Sequence, residues 1–319
     1  MNDRNSSNYE SPDPLLIVIA GPTASGKSEL GLWLAEKLDG ELICCDSLQV
    51  YRRLDIGTAK PTKEEFLAVP HHLFDILEPD EEFNVSLFKN VASKIIRKIE
   101  SESSVPIVVG GTGQYIWSLL EDWQFSGGGS ESKSFRNVLE NRLESEGLGS
   151  LVEDLIEMDP KSGSFIDLQN PRRVIRALER LHQGLAAVTP RPRQSTILPN
   201  TLIVGLSMPR QQLYLTVDGR FSQMVQRGFV SEVNKLTSMG YKPGLKSMDG
   251  IGYREICEYL VSGCTWKNAV DATRTRTHRL VRTQSNWFRP DDNRINWFDV
   301  SATDISKIVD KICFLYQAC

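Results

Sequence analysis

The chain has no long apolar run. Its longest clean one, Leu15 to Ala20, is far too short to cross a bilayer, and the first 14 residues are polar and rich in Ser, Asn, Asp and Pro, without the apolar stretch of a signal peptide. A membrane span is therefore not expected, and residues 1–14 read as a disordered tail. The six cysteines are scattered and form no C-x-x-C pair, so they read as reduced thiols of a cytoplasmic protein. Histidine is scarce, four in 319 residues. His71 and His72 are adjacent, which directs their side chains apart, and no Cys or carboxylate cluster stands near them at ligand spacing, so packing or loop hydrogen bonding is expected of them. Positive charge is short as well: 37 Lys and Arg against 41 Asp and Glu give a net −4 and a pI near 5.7. Alone, that balance argues against nucleic acid, whose phosphates need Lys and Arg.

The mean conceals an asymmetry. No acidic residue stands between Asp271 and Asp291, yet Arg274, Arg276, Arg279, Arg282 and Arg289 do, with His278, Trp287 and Phe288 interleaved. In a second run, Arg172, Arg176 and Arg180 recur every four residues beside Arg173, which puts three on one helical face. Two basic stripes on an acidic protein suggest a confined polyanion site.

Short apolar runs alternate with amphipathic stretches: strands at Leu15–Ala20, Glu41–Cys45 and Val105–Val109, helices at Ser28–Leu38 and Leu87–Ser101. Such alternation implies an α/β fold with a parallel, doubly wound sheet. A glycine-rich break at residues 126–130 then opens a stretch of purely helical pattern. The expected organisation is a P-loop NTPase-like parallel sheet flanked by helices, formed by residues 15–125 and 200–319, with a helical insertion domain at 126–199. The apolar run Thr201–Met208 should return to the sheet, followed by helices near 210–239, 251–262 and 266–288 and a late strand at Ile295–Val300.

The strongest motif is G-x-x-x-x-G-K-S: Gly21, Pro22, Thr23, Ala24, Ser25, Gly26, Lys27 and Ser28 follow an apolar strand and open a helix. The backbone N–H groups of such a loop converge at a helix N-terminus, Lys27 neutralises phosphate, and the Ser28 hydroxyl is placed to hold Mg²⁺. Phosphate binding follows, but not yet a reaction. A kinase of this class adds a metal-positioning carboxylate at the end of another core strand, whereas Val105–Val109 runs into Gly110-Gly111-Thr112-Gly113. The carboxylate present is Asp46, ending a strand taken to adjoin the loop, at the edge where open α/β sheets place ligands. Capping of the next helix, or metal support in a small-molecule or nucleotide kinase, are its alternative readings. Trp117, Trp123 and Phe125 are expected to pack near the end of the sheet domain.

The phosphate loop, Asp46-Ser47 with Gln49-Val50-Tyr51, Leu54 to Pro61 (Leu-Asp-Ile-Gly-Thr-Ala-Lys-Pro), Pro70-His71-His72-Leu73, Val109 to Gly113, Asn170-Pro171-Arg172-Arg173 and Ile251 to Glu255 (Ile-Gly-Tyr-Arg-Glu) together resemble the bacterial tRNA dimethylallyltransferases. The likeness runs from about residue 15 to 300, and no zinc-finger pattern follows it. It implies transfer of a dimethylallyl group from dimethylallyl diphosphate to N6 of adenosine 37 in the tRNA anticodon loop, with release of diphosphate, assistance by Mg²⁺, and action as a monomer. It further implies that Asp46 accepts the N6 proton and that Thr23 and Arg220 hold the departing diphosphate. By the same resemblance tRNA is contacted by Asp46, Ser47, Leu48 and Gln49, by Thr112, by Arg172, Arg173, Val174, Ile175 and Arg176, by Gly250, Ile251, Gly252, Tyr253 and Arg254, and by Arg282, Gln284, Trp287 and Arg289. The chain departs from the family pattern near its end, where two commonly basic positions hold His278 and Thr283.

Overall fold

The computed structural model describes residues 15–121, 123, 125, 130–188 and 198–318; the expected tail at 1–14 and the glycines of the 126–130 break lie outside them. Six strands, β1 (Leu16–Ala20), β2 (Gly40–Cys45), β3 (His71–His72), β4 (Val105–Gly110), β5 (Thr201–Ser207) and β6 (Ile295–Asp299), form one sheet in the order β3-β2-β4-β1-β5-β6. All of its pairings are parallel. A parallel sheet is covered on both faces, so its strands must be apolar throughout rather than alternating; the β1 segment Leu-Ile-Val-Ile-Ala is buried at every position.

On one face Ile17, Ile19, Ile107, Leu202, Val204 and Leu206 pack with Leu30 and Leu34 of α1 (Lys27–Leu38) and with Ile308, Val309 and Ile312 of α12 (Ile305–Ala318). Each of these side chains contributes about 1.5–3 kcal/mol by leaving water. α3 (Val85–Ser101) lies against β4 and against α4 (Gly113–Leu120), where Phe88 stacks on Tyr115 at 4.6 Å. A short α2 (Lys63–Ala68) is started by a capping box between Thr62 and Glu65.

The helical stretch expected at 210–239 is two helices, α8 (Arg210–Gln226) and α9 (Phe229–Ser238), because Gly228 adopts a φ of 101° that a continuing helix does not allow. Next come α10 (Tyr253–Val261) and the 22-residue α11 (Trp266–Trp287).

The chain divides into two compact units, the second running from Trp123 to Thr196. Among its described residues are α5 (Ser130–Glu146), α6 (Leu148–Met158), a 3-10 turn at Pro160–Ser164 and α7 (Pro171–His182). Its own core gathers Leu139, Leu151, Leu155, Val174, Ile175 and Leu178. α7 starts where Asn170 accepts from the Arg173 N–H and Pro171 occupies the first turn. Trp123 and Phe125, half-buried with ring centroids 6.4 Å apart, fall in this unit, whereas Trp117 is buried in the sheet unit.

Candidate active site

β1 is flanked by β4 and β5, so the strand carrying Asp46 is not beside the phosphate loop, as the sequence suggested, but one strand further away. The register explains why they still share an edge. Ala20, Gly110 and Cys45 stand level across β1, β4 and β2, so Gly21, Gly111 and Asp46 leave the sheet together. Two strand spacings put Asp46 about 10 Å from Gly21.

Between β1 and α1 the loop folds on itself: the Ser25 hydroxyl and the Lys27 ammonium both donate to the Pro22 carbonyl, at 2.9 and 2.5 Å. Gly26, with φ 83°, makes the left-handed step into α1, and the free N–H groups of that first turn present the positive end of the helix dipole. Ser28 lies exposed in the same turn.

At the end of β2, Asp46 Oδ1 accepts from the N–H of Leu48 (2.8 Å) and of Gln49 (3.3 Å). The carboxylate thereby fixes its own turn and leaves Oδ2 without a protein donor among the described residues. Arg220 approaches from α8. Burial, then the Arg220 cation, pull the Lys27 ammonium down to about 7, partly offset by Asp46. Burial likewise depresses Arg220, again against the pull of Asp46. Two cations that raise each other's energy beside one carboxylate form a site short of an anion.

The ground where a kinase would carry its second carboxylate is occupied. A side chain on Gly111 would meet the Gln284 amide at 2.2 Å. Gln284, buried on α11, accepts from the Thr23 N–H through Oε1 at 2.8 Å and donates to the Gly111 carbonyl through Nε2 at 3.2 Å. No cluster of three or more His, Cys, Asp or Glu able to hold a metal occurs among the described residues. What could hold Mg²⁺ here is the Ser28 hydroxyl together with oxygens of the bound anion, a set that suits an ion which keeps several waters.

The residues expected to touch tRNA divide. Ser47 is exposed and Thr112 partly so. Gln49 is committed inward, donating to the Thr58 and Ala59 carbonyls at 2.9 and 3.2 Å while accepting from Cys44 Sγ at 3.1 Å. Leu48 packs against Gly250, and Gly252 donates to Glu255 at 2.8 Å. Tyr253 is fully buried, its hydroxyl donating to Glu232 at 2.6 Å, while Arg254 is exposed and paired with Glu258 at 2.9 Å. In the second unit Arg172 and Arg173 are exposed and Arg176 half-buried beside Glu179. Val174 and Ile175 point the other way, into that unit's core, and offer no side chain to an RNA.

The stripe at 274–289 also splits, because successive residues of a helix are rotated by about 100°. Arg276 turns inward to Glu255 and to the Asp249 carbonyl. Arg274 pairs with Asp218 at 3.2 Å, and His278 lies 3.0 Å from the same carboxylate and stacks on Tyr214 at 3.9 Å. Arg279 and Arg282 stay exposed, Arg282 reaching the Tyr214 hydroxyl at 3.2 Å. Trp287 packs on Gly113, and its carbonyl accepts from Trp117 Nε1 at 3.0 Å. Arg289 forks onto Asp291 at the mouth of an open cleft of about 520 Å³ lined also by Ser285, Asn286 and Pro290.

Sequence reasoning missed two supports. Glu232 accepts from the N–H groups of Asp55 (3.1 Å), Ile56 (2.7 Å) and Gly57 (3.2 Å). Lys60, its side chain only 4% exposed, donates to the Tyr51 carbonyl, Asp55 and Asp75 at 2.6, 2.8 and 2.5 Å. His71 bonds locally to the Val69 carbonyl at 2.8 Å, and His72 reaches Glu41 on the neighbouring β2 at 2.6 Å.

Comparison with known proteins places the chain in a family. A family described as IPP transferase matches residues 49–291, and one described as isopentenyl transferase matches residues 14–75. The tRNA dimethylallyltransferases of Pelotomaculum thermopropionicum and Carboxydothermus hydrogenoformans are each 40% identical to the chain. The first match covers 89% of this chain and 90% of the relative, the second 93% and 96%. The crystal structure of the tRNA isopentenylpyrophosphate transferase of Bacillus halodurans superposes with a TM-score of 0.70 at 36% identity, covering 95% of this chain and 97% of that one. A eukaryotic dimethylallyltransferase captured acting on tRNA gives a TM-score of 0.74 at 26% identity, over 92% and 75% of the two chains.

Proposed function

The chain belongs to the IPP transferase family, and from that premise we propose that it transfers a dimethylallyl group from dimethylallyl diphosphate to N6 of adenosine 37 in tRNA, releasing diphosphate. The observation that carries this reading is the shared sheet edge: a self-fixed carboxylate, Asp46, its backbone about 10 Å across from a phosphate loop, with two cations, Lys27 and Arg220, that share this one carboxylate and are short of an anion.

The diphosphate lies in the cradle of residues 21–28, against the α1 N-terminus, Lys27 and Arg220. Its allylic carbon faces the Asp46 side. N6 of the extruded base attacks that carbon as the carbon–oxygen bond breaks. The electron pair of that bond leaves with diphosphate, whose added negative charge is met by groups already in place, the Thr23 hydroxyl among them. An exocyclic aromatic amine is a feeble nucleophile that becomes acidic as it attacks, and Asp46 Oδ2 takes its proton. Mg²⁺, held by Ser28 and the diphosphate, would further neutralise the leaving group. Water must be kept out, because an ionising allylic diphosphate also hydrolyses. Arg282 and, in the second unit, Arg172, Arg173 and Arg176 supply phosphate contacts to the RNA. We take the enzyme to be a cytoplasmic monomer; the free, buried thiols Cys44, Cys45 and Cys257 support the compartment, and the monomer follows from the family resemblance alone.

The kinase alternative is disfavoured, because the strand next to the phosphate loop ends in Gly110-Gly111 and Gln284 fills the space beyond it. The deciding experiment incubates the protein with unmodified tRNA and dimethylallyl diphosphate and analyses the nucleosides by mass. N6-(dimethylallyl)adenosine is expected. Its absence, together with robust γ-phosphoryl transfer from ATP, would reverse the choice.

A further inference from the structure

α11 has two opposed faces near its C-terminal end. Val281, Gln284 and Trp287, spaced by three residues, turn inward, while Arg279 and Arg282 are exposed on the opposite side. The inward face is clasped to both loops that leave the sheet at the phosphate site. Gln284 ties the loop after β1 to the loop after β4 through the Thr23 N–H and the Gly111 carbonyl. One turn on, Trp287 lies against Gly113, where a side chain would come within 2.3 Å of the indole, and it receives the Trp117 indole N–H on its carbonyl. A buried carboxamide with both ends bonded costs its desolvation if either partner shifts, so it holds the two loops at one separation. In spending the Thr23 N–H it also sets the direction of the residue, whose hydroxyl has no partner among the described residues.

We propose that Gln284 is not an RNA contact but the positioning residue of the diphosphate cradle, acting through Thr23 and Gly111. The cradle's shape thereby depends on α11, the helix whose outer face carries Arg279 and Arg282. This inference rests on the leaving-group reading of the loop.

The test compares inorganic pyrophosphate binding, tRNA binding and steady-state kinetics for the full chain and for Gln284→Met, which fills the same volume without polar atoms, alongside Gln284→Ala. For Gln284→Met, pyrophosphate affinity should fall about tenfold and kcat at least as much, as expected when one buried anchor with two bonds is lost. The Kd and KM for tRNA should stay within about twofold of the parent, again because no RNA contact is removed. Arg282→Glu should show the reverse pattern, weaker tRNA binding with pyrophosphate binding unchanged. A purely structural role would lower the melting temperature and the active fraction, and with it apparent kcat and the binding stoichiometry, but would leave the pyrophosphate Kd of the folded protein unchanged. Unchanged pyrophosphate binding in a folded Gln284→Met, or a loss confined to tRNA affinity, overturns the proposal. If the parent chain itself bound no pyrophosphate, the leaving-group reading would fall and this inference with it.

Discussion

The depressed Lys27 ammonium makes a quantitative prediction about diphosphate binding. In the free protein it titrates at about 7, because burial and the Arg220 cation disfavour its charge. A bound diphosphate restores a counter-charge, so the pKa of the complex rises towards the ordinary value near 10.5. Binding therefore takes up a proton wherever the free lysine is neutral and the bound one charged. At pH 6 about nine-tenths of the free lysine already carries its proton, and the lysine's share of the uptake is about 0.1; at pH 8 only about one-tenth does, and its share is about 0.9. The lysine's contribution to affinity is fully present below pH 7 and is lost as pH rises, by about 50-fold from pH 7 to 9, or about 2.3 kcal/mol.

The measurement is calorimetric titration with the unreactive sulfur-bridged analogue of dimethylallyl diphosphate, whose last phosphate proton, with a pKa of about 6, is gone by neutral pH. Excess chelator keeps metal out, so the lysine alone is followed. Repeating the titration at pH 8 in buffers of different ionisation enthalpy gives the proton count. Arg220 cannot supply the uptake, because a guanidinium stays charged throughout this range. Lys27→Met should bind more weakly at pH 6 and show neither the uptake nor the slope. An uptake below about 0.2 at pH 8, or the same slope in Lys27→Met, would refute the reasoning.

Three further outcomes are expected. Asp46→Asn keeps an oxygen for the Leu48 N–H and so preserves the turn, yet it should lower kcat by about 10²–10⁴ with both KM values little changed; wild-type turnover would remove Asp46 as the base. Replacing Arg172, Arg176 or Arg282 by Glu should weaken tRNA binding and flatten its salt dependence by about one unit of slope for each contact removed, read from filter binding at several salt concentrations. Glu232→Ala leaves the N–H groups of Asp55, Ile56 and Gly57 without their acceptor and should cost about 2–4 kcal/mol in denaturant unfolding, against about 1 kcal/mol for Tyr253→Phe.

What could be read from the sequence was what is encoded locally. The phosphate loop announces itself within eight residues, and the strand that precedes it is five consecutive buried apolar positions, so periodicity and motif sufficed for β1, α1, β2 and β4. Asp46 was legible for the same reason. The two-residue β3 is too short to have a period, and the break between α8 and α9 depends on one glycine's φ. Gln284 and Glu232 were not legible as supports, because their partners lie 261 and about 176 residues away, and no spacing rule reaches across such distances. The arginine run misled in part for a related reason. Counting charges along a helix ignores that each residue turns by about 100°, which sends Arg276 to the buried Glu255 and leaves Arg279 and Arg282 outside.

The choice between phosphoryl transfer and departure of diphosphate also turns on these distant contacts. A phosphate loop is neutral on that question, since its N–H groups and lysine meet anionic oxygens in either case. Transfer of the γ-phosphoryl group needs a second carboxylate near the loop to position metal and nucleophile. Here the neighbouring strand ends in two glycines, and the Gln284 amide occupies the space beyond Gly111. The available carboxylate is carried one strand further out, its backbone about 10 Å from the loop, which leaves room for the allylic carbon and an attacking amine between it and the diphosphate. A base at that distance acts on the far end of the substrate rather than on its phosphates. The same cradle then stabilises charge on a group that leaves.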